Sequence, residues 1–198
     1  DDRPLPLPPA QRSLLAALVL SGRQGASVEQ LIDALWGDHP PRTAERTLHS
    51  HVSRLRSMVG VDVERPLPGR YALAAGVMVD VDEFESALAR GRLAPTAPEA
   101  LGEFDAAHRL WRGIPFSDLD DAPGARPERV RLQELRDQLD EMRLEALIAS
   151  GARDAIARAR ALVDQEPLRE RRWALLMDAL YRDGRQAEAL AAFQEARQ

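Results

Sequence analysis

The sequence contains no cysteine and no lysine, and it has few aromatic residues. Without cysteine the chain can form neither a disulfide nor a thiolate metal site, which suits a reducing cytoplasm. No apolar run approaches the roughly 20 residues that a bilayer span requires. The chain begins with acids and prolines rather than with a signal peptide. We therefore expect a cytoplasmic location.

Catalytic and ligand-binding motifs are also missing from the sequence. It has no glycine-rich phosphate loop, no Ser-His-Asp arrangement in a suitable context and no cluster of His and acids at metal-ligand spacing. His49 and His51 are two residues apart, a spacing that puts them on different faces of a helix. We expect the protein to have no enzymatic activity, no cofactor and no metal.

Charge is distributed unevenly along the chain, although the total is −5. All 27 basic residues are arginine. Residues 40–75 contain six arginines and three acids, a net charge of +3, whereas residues 77–198 contain 18 arginines and 24 acids, a net charge of −6. Phosphate binding depends on such local asymmetry more than on the total charge. The positive segment is thus the candidate for contact with nucleic acid.

A helix predicted from Pro41 to Val59 occupies most of this positive segment. At 3.6 residues per turn, one narrow apolar stripe contains Leu48, Val52, Leu55 and Val59. The opposite side carries only hydroxyls and guanidinium groups: Thr43, Arg46, Ser50, Ser53, Arg54 and Ser57. Such a surface suits DNA bases and phosphates, and the alternative is an ordinary surface helix that is rich in arginine.

Two further helices precede this one and a hairpin follows it. The apolar pattern predicts a helix over residues 11–20, and Ser27 with Gln30 forms a capping box that opens the next helix. Val61 and Val63 alternate before a turn, and Tyr71 and Leu73 alternate after it. This order is typical of a winged helix-turn-helix with a short β-hairpin wing, which we assign to a domain of residues 1–76.

Residues 77–198 are predicted to be entirely helical, so the fold class is mainly α. Leu147 and Gly151 recur as Leu180 and Gly184 with a spacing of 33 residues. Such a period of helix pairs favours a tetratricopeptide-like domain, although an alanine-rich bundle can produce two approximate copies. The predicted helices span residues 82–91, 97–111, 126–149, 152–164, 168–182 and 185–197.

Four sequence strings together resemble a known family. The string Val52-Ser53-Arg54-Leu55-Arg56 resembles the end of the recognition helix in OmpR-type winged-helix domains. Three others are similar to the bacterial transcriptional activator domain: residues 110–116 (LWRGIPF), 167–171 (PLRER) and 179–190 (ALYRDGRQAEAL). The combination resembles the Streptomyces antibiotic regulatory protein family over nearly the whole chain. Relative to that family, we expect the N-terminal sheet to be incomplete, with only its last strand near residues 5–8, and the activator domain to be truncated.

The resemblance implies binding to direct repeats in promoters, with the recognition helix in the major groove. Arg46 and Ser50, with Thr43 and Thr47 beside them, are then the candidates for base readout. Phosphate or wing contacts are expected from Arg42, Ser53, Arg54, Arg56, Arg65 and Arg70. For Arg56, near the apolar boundary, an intramolecular ion pair is the alternative.

The resemblance further implies that the helical half dimerises the activator on DNA and contacts the sigma factor of RNA polymerase holoenzyme. Antibiotic or other secondary-metabolite genes would be controlled in this way, at the nucleoid. A different possibility is a helical protein-interaction scaffold with a degenerate winged helix. Asp118, Asp120 and Asp121 are expected to be solvated loop acids, with a cation site or a polymerase contact as alternatives. Trp36, Trp111 and Trp173 are expected to be core residues, and His108 to have no special role.

Overall fold

The computed structural model describes residues 6–117, 119 and 122–197. Two compact units are present. The N-terminal unit contains the residues up to Val79 together with Gly113–Leu132, and the C-terminal unit contains Asp80–Arg112 together with the residues from Gln133 onward. The sequence predicts two contiguous domains, residues 1–76 and 77–198, whereas the structure groups Gly113–Leu132 with the N-terminal unit.

The N-terminal unit combines three helices with a small antiparallel sheet in the order β1-β3-β2. Ala26 pairs with Tyr71, and Val63 pairs with Leu73, so β3 is the central strand. The helices and the hairpin confirm the winged-helix prediction, whereas β1 was not predicted. Pro6–Pro8 form no strand, and residue 5 lies outside the described residues. The elements are α1 (Pro9–Leu20), β1 (Ala26–Ser27), α2 (Val28–Trp36), α3 (Ala44–Val59), β2 (Val63–Glu64) and β3 (Arg70–Leu73).

Local hydrogen bonds explain where these helices begin. Ser27 accepts a bond from the Gln30 backbone, and the Gln30 side chain accepts one from the Ser27 backbone, so the predicted capping box is present. The α3 helix begins at Ala44, three residues later than predicted. Residues 41–43 instead form a turn, which is closed by the bond that Ala44 N donates to Pro41 O at 2.9 Å.

The C-terminal unit is helical throughout its described part. The two predicted repeat turns have matching hydrogen bonds: Ala152 N donates to Leu147 O at 3.1 Å, and Arg185 N donates to Leu180 O at 2.9 Å. Gly151 and Gly184 adopt positive φ angles of 70° and 78°, a region that favours glycine. The repeat prediction is therefore confirmed at its turns. The helices are α4 (Asp80–Leu93), α5 (Ala97–Leu110), α6 (Ala125–Ala149), α7 (Ala155–Gln165), α8 (Glu170–Arg182) and α9 (Gln186–Glu195), with the unit boundary inside α6.

A buried ionic cluster joins α6 to α8. The Arg172 side chain is 2% exposed, and its Nη2 donates to Asp137 Oδ1 at 2.9 Å. Its Nη1 donates to Leu162 O at 3.0 Å. Glu141, also buried, accepts a bond from Arg169 Nε at 2.8 Å. The cluster fixes α8 against α6, because a buried ion needs its partners in place.

The three tryptophans pack at the margins of the cores and are each half-buried. The Trp111 ring lies 5.6 Å from the Phe84 ring, and Trp173 Nε1 donates to Pro167 O at 2.8 Å. The prediction that they contribute to packing is confirmed, although none is fully enclosed. The bond from Trp173 gives its indole N–H an acceptor at the edge of the core, whereas Trp111 Nε1 is buried without one among the described residues.

Candidate nucleic-acid interface

The α3 helix is oriented by its apolar stripe. Leu48 and Leu55 are fully buried in the N-terminal core, Val52 is buried between them, and Val59 packs against the same cluster. Because side chains on the far side of the helix cannot reach this core, they face the solvent. They line an open groove that we call the outer face, formed by Arg46, His49, Ser50, Ser53, Arg54 and Ser57.

Two guanidinium groups of the outer face remain available. In the part of the chain that the structure describes, Arg46 and Arg54 make no side-chain hydrogen bond and no ion pair, and neither does Arg42 just before the helix. All three are exposed. An arginine with all five donors in water can form a bidentate bond with guanine or with a phosphate.

The hydroxyls on and beside this face bond to the helix itself. Thr47 Oγ1 donates to Thr43 O at 3.0 Å, Ser50 Oγ donates to Arg46 O at 3.4 Å, and Ser57 Oγ donates to Ser53 O at 3.2 Å. Thr43 stands at the N-cap position of α3 without a side-chain capping bond. A hydroxyl that donates to a helix carbonyl keeps its oxygen as an acceptor for a further partner.

Two other arginines that were predicted to contact DNA, Arg56 and Arg70, form hydrogen bonds within the N-terminal unit. Arg56 donates to the Val63 carbonyl, which ties α3 to β2. Arg70 donates to Gln24 O at 3.1 Å and to Gly25 O at 2.6 Å, and so anchors β3. These are hydrogen bonds to carbonyls rather than the ion pair considered for Arg56. They give both side chains a structural role, and their contact with phosphate stays a prediction.

The wing is held close to α3 by Arg65. Its guanidinium carbon lies 4.8 Å from the centre of the Tyr71 ring, and its Nη2 donates to the Tyr71 hydroxyl. The same Nη2 lies 3.4 Å from His49 Nε2. The structure thus places Arg65 beside the outer face, on the side of the wing.

His49 is a member of the outer face that sequence reasoning missed. Positions 46, 49, 50 and 53 follow the i, i+3, i+4, i+7 spacing of one helical face, so the projection could have found it. The sequence argument considered His49 only as a metal ligand. His51 instead faces inward, where its Nδ1 lies 3.2 Å from Gln11 Nε2 and its ring packs 5.9 Å from Trp36.

The acids at positions 118, 120 and 121 lie outside the described residues. Within the residues that are described, no helix is long and apolar enough to cross a membrane. Also among these residues, no group of three or more His, Cys, Asp or Glu side chains could hold a metal ion.

Comparison with known families assigns both halves of the chain. The model of the bacterial transcriptional activator domain matches residues 79–198, and that of the C-terminal domain of transcriptional regulatory proteins matches residues 2–67. The chain belongs to the Streptomyces antibiotic regulatory protein family. Both matching models are those of domains of transcriptional regulators.

Individual relatives agree with the family assignment. The regulatory protein AfsR of Streptomyces coelicolor is 40% identical over 195 residues, which cover 96% of this chain and 20% of AfsR. The transcriptional regulator RedD of the same species is 31% identical over 94% of this chain and 57% of RedD. The structure of Mycobacterium tuberculosis EmbR in complex with a low affinity phosphopeptide has a TM-score of 0.77 and 32% identity, covering 96% of this chain and 53% of EmbR. This chain spans from a fifth to somewhat over half of these relatives.

Proposed function

We propose that this regulator is a sequence-specific DNA-binding activator that binds direct repeats in promoters and contacts RNA polymerase. The observation that supports this most directly is the outer face of α3. It carries exposed guanidinium groups at Arg46 and Arg54, and it contains no carboxylate. A helix with this surface, beside a wing, fits the major groove of DNA.

Base readout is assigned to the first turns of α3. Arg46 donates to the O6 and N7 atoms of a guanine, a bidentate contact that discriminates by roughly 1–3 kcal/mol. Ser50 is one turn further along the same face, and Thr43 and Thr47 flank the pair. The exposure of these groups and the free donors of Arg46 support the assignment.

Phosphate contacts are assigned to the ends of the outer face. Arg42 precedes the helix and Arg54 lies near its C-terminal end, and both have unoccupied donors among the described residues. Ser53 is exposed beside Arg54. Phosphate contacts fix the register of a protein on the duplex without reading its sequence.

The C-terminal unit supplies the protein contacts in this proposal. Its acidic excess opposes wrapping onto DNA, and stacked helix pairs provide surfaces for partner proteins. It dimerises the regulator on DNA and meets the sigma factor of RNA polymerase holoenzyme. Membership of the Streptomyces antibiotic regulatory protein family supports the control of antibiotic genes, in the cytoplasm at the nucleoid.

The deciding experiment is a fluorescence-anisotropy titration of the chain with its own upstream promoter DNA and with a scrambled duplex, at two salt concentrations. We expect tighter binding to the promoter, and affinity for both duplexes that falls as salt rises, because bound arginines release counterions. The variant Arg153→Ala, which removes one positive charge at an exposed position of the C-terminal unit, serves as the control. Binding to neither duplex would favour the alternative, a helical scaffold with a degenerate winged helix.

A further inference from the structure

The C-terminal unit contains a polar cavity that DNA binding does not use. It has a volume of about 250 Å³ and lies among α5, α6 and α7. Three arginines and one aspartate line it, a net charge of +2 with neutral histidine. The ionisable side chains on its wall are His108, Arg136, Asp140, Arg143 and Arg158.

Arg136 is the arginine of this cavity wall that has no carboxylate or carbonyl partner among the described residues. Its guanidinium carbon lies 5.0 Å from the centre of the Trp111 ring, and the side chain is half-buried. Among the described residues it donates no hydrogen bond and pairs with no carboxylate within 4.0 Å. A partly desolvated cation without an acceptor is unfavourable, and an anion in the cavity would stabilise it.

The other two arginines, Arg143 and Arg158, each donate one hydrogen bond from Nε and have further N–H donors. Arg143 Nε donates to Asp105 Oδ1 at 2.6 Å, and Arg158 Nε donates to Asp154 Oδ2 at 2.7 Å. Neither acceptor lines the cavity. Within the described chain the Nη groups of both arginines have no acceptor, so three arginines that line one small volume have unused donors.

One carboxylate, Asp140, also lies on the wall of the cavity. Burial raises the pKa of Asp140, an effect opposed by the nearby charges of His108 and Arg136.

We propose that this cavity binds a small phosphate monoester. Guanidinium groups match the oxygens of a phosphate in bidentate geometry, and three of them supply enough donors for its acceptors. The cavity also has apolar wall residues, Leu144, Leu147 and Leu162, which suit a short carbon chain on the phosphate. The site would give this regulator a small-molecule ligand, and it does not depend on the proposed DNA contacts.

Isothermal titration calorimetry of the full chain, at constant ionic strength, tests this proposal with glycerol 3-phosphate, inorganic phosphate and sulfate as probes. We expect saturable binding of the phosphates at millimolar concentration or below, and weaker binding of sulfate. Arg136→Gln and Arg158→Gln should each weaken it about tenfold, the effect of one charge-assisted hydrogen bond. Arg153→Gln, an exposed change of equal charge on the same unit, should leave it unchanged.

The two phosphate probes separate the possible sources of the anion. Tighter binding of glycerol 3-phosphate supports an ester whose carbon chain contacts the leucines, and equal binding supports recognition of the phosphate group alone. The absence of millimolar binding by the parent chain would overturn the proposal. Parent-like binding by either glutamine variant would also overturn it. If Arg136→Gln fails to fold, Arg158→Gln alone tests the proposal, because Arg158 is exposed.

Discussion

Arginine has opposite surroundings in the two units of this protein. On α3, Arg46 and Arg54 are exposed without a carboxylate partner in the described residues, whereas Arg169 and Arg172 at the start of α8 contact two buried acids, Asp137 and Glu141. The chain contains 32 acids and 27 arginines, so free guanidinium groups are not a result of acid shortage. The difference teaches that the acceptors around an arginine, whether carboxylates or carbonyls, decide how many of its donors are left for a ligand.

The strongest test of this comparison is Arg172→Met. It removes the buried cation from Asp137 and Glu141, whose remaining arginine partners are less buried, so we expect the free energy of unfolding to fall by about 3–5 kcal/mol. Urea unfolding followed by circular dichroism measures the change. In Arg182→Met, which breaks the exposed pair with Asp178, the loss should be below about 1 kcal/mol. Equal losses in the two variants would contradict the structural role of the buried arginine.

The corresponding change on α3 is Arg46→Ala, which should affect binding and not stability. Loss of a bidentate guanine contact reduces affinity for the promoter by roughly 1–3 kcal/mol, and affinity for the scrambled duplex should fall less. Anisotropy titrations of both duplexes measure this, with Arg153→Ala as the charge-matched control. A change in the urea midpoint of Arg46→Ala would instead show that Arg46 helps to hold the fold.

A smaller effect is expected from Arg54→Ala. Removal of one phosphate contact weakens binding to both duplexes equally and reduces the slope of log affinity against log salt by about 1. The salt slope of Arg46→Ala is the comparison, since a base contact contributes little to it. If Arg54→Ala changes the preference between the duplexes, Arg54 reads bases and our division of the outer face is wrong.

The smallest effect concerns a carboxyl group, Asp140. Its pKa in the folded protein is raised above the ordinary value of 3.8 by burial, so its contribution to stability is present below that pH and is lost as pH rises through the raised value. Asp140→Asn should remove this loss of stability with rising pH, which is measured as the urea-unfolding midpoint at a series of pH values. Asp154, whose pKa is lowered mainly by its bond from Arg158, should contribute with the opposite sign, losing stability as pH falls. If the midpoint of Asp140→Asn falls with rising pH as much as that of the parent chain, another group causes the loss.

Sequence patterns located the helices because each has a strong local signal. The apolar stripe of α3, the capping box at Ser27 and the glycines of the two repeat turns all depend on neighbours within a few residues. The strand β1 was missed because it has two residues and exists only through its pairing with β3, a contact that no local pattern shows.

The site was predicted less completely than the fold for the same physical reason. Arg56 and Arg70 bond to carbonyl groups that the sequence cannot place beside them. Arg172 stands among charged residues at helical spacing, a pattern that is normally a solvated surface, and only the tertiary structure reveals its burial. Exposure of Arg46 and Arg54 follows from the stripe alone, but whether either group reads a base remains a prediction.

The outer face of α3 carries both hydrogen-bond acceptors and hydrogen-bond donors. Since Thr47 and Ser50 donate to helix carbonyls, each presents acceptor lone pairs to the solvent, whereas the neighbouring Arg46 presents only donors. In the major groove, guanine offers acceptors, while cytosine and adenine offer amino donors. We therefore expect the preferred half-site to place an amino-bearing base beside the guanine. A base-by-base binding series would show this as a penalty when thymine occupies that position.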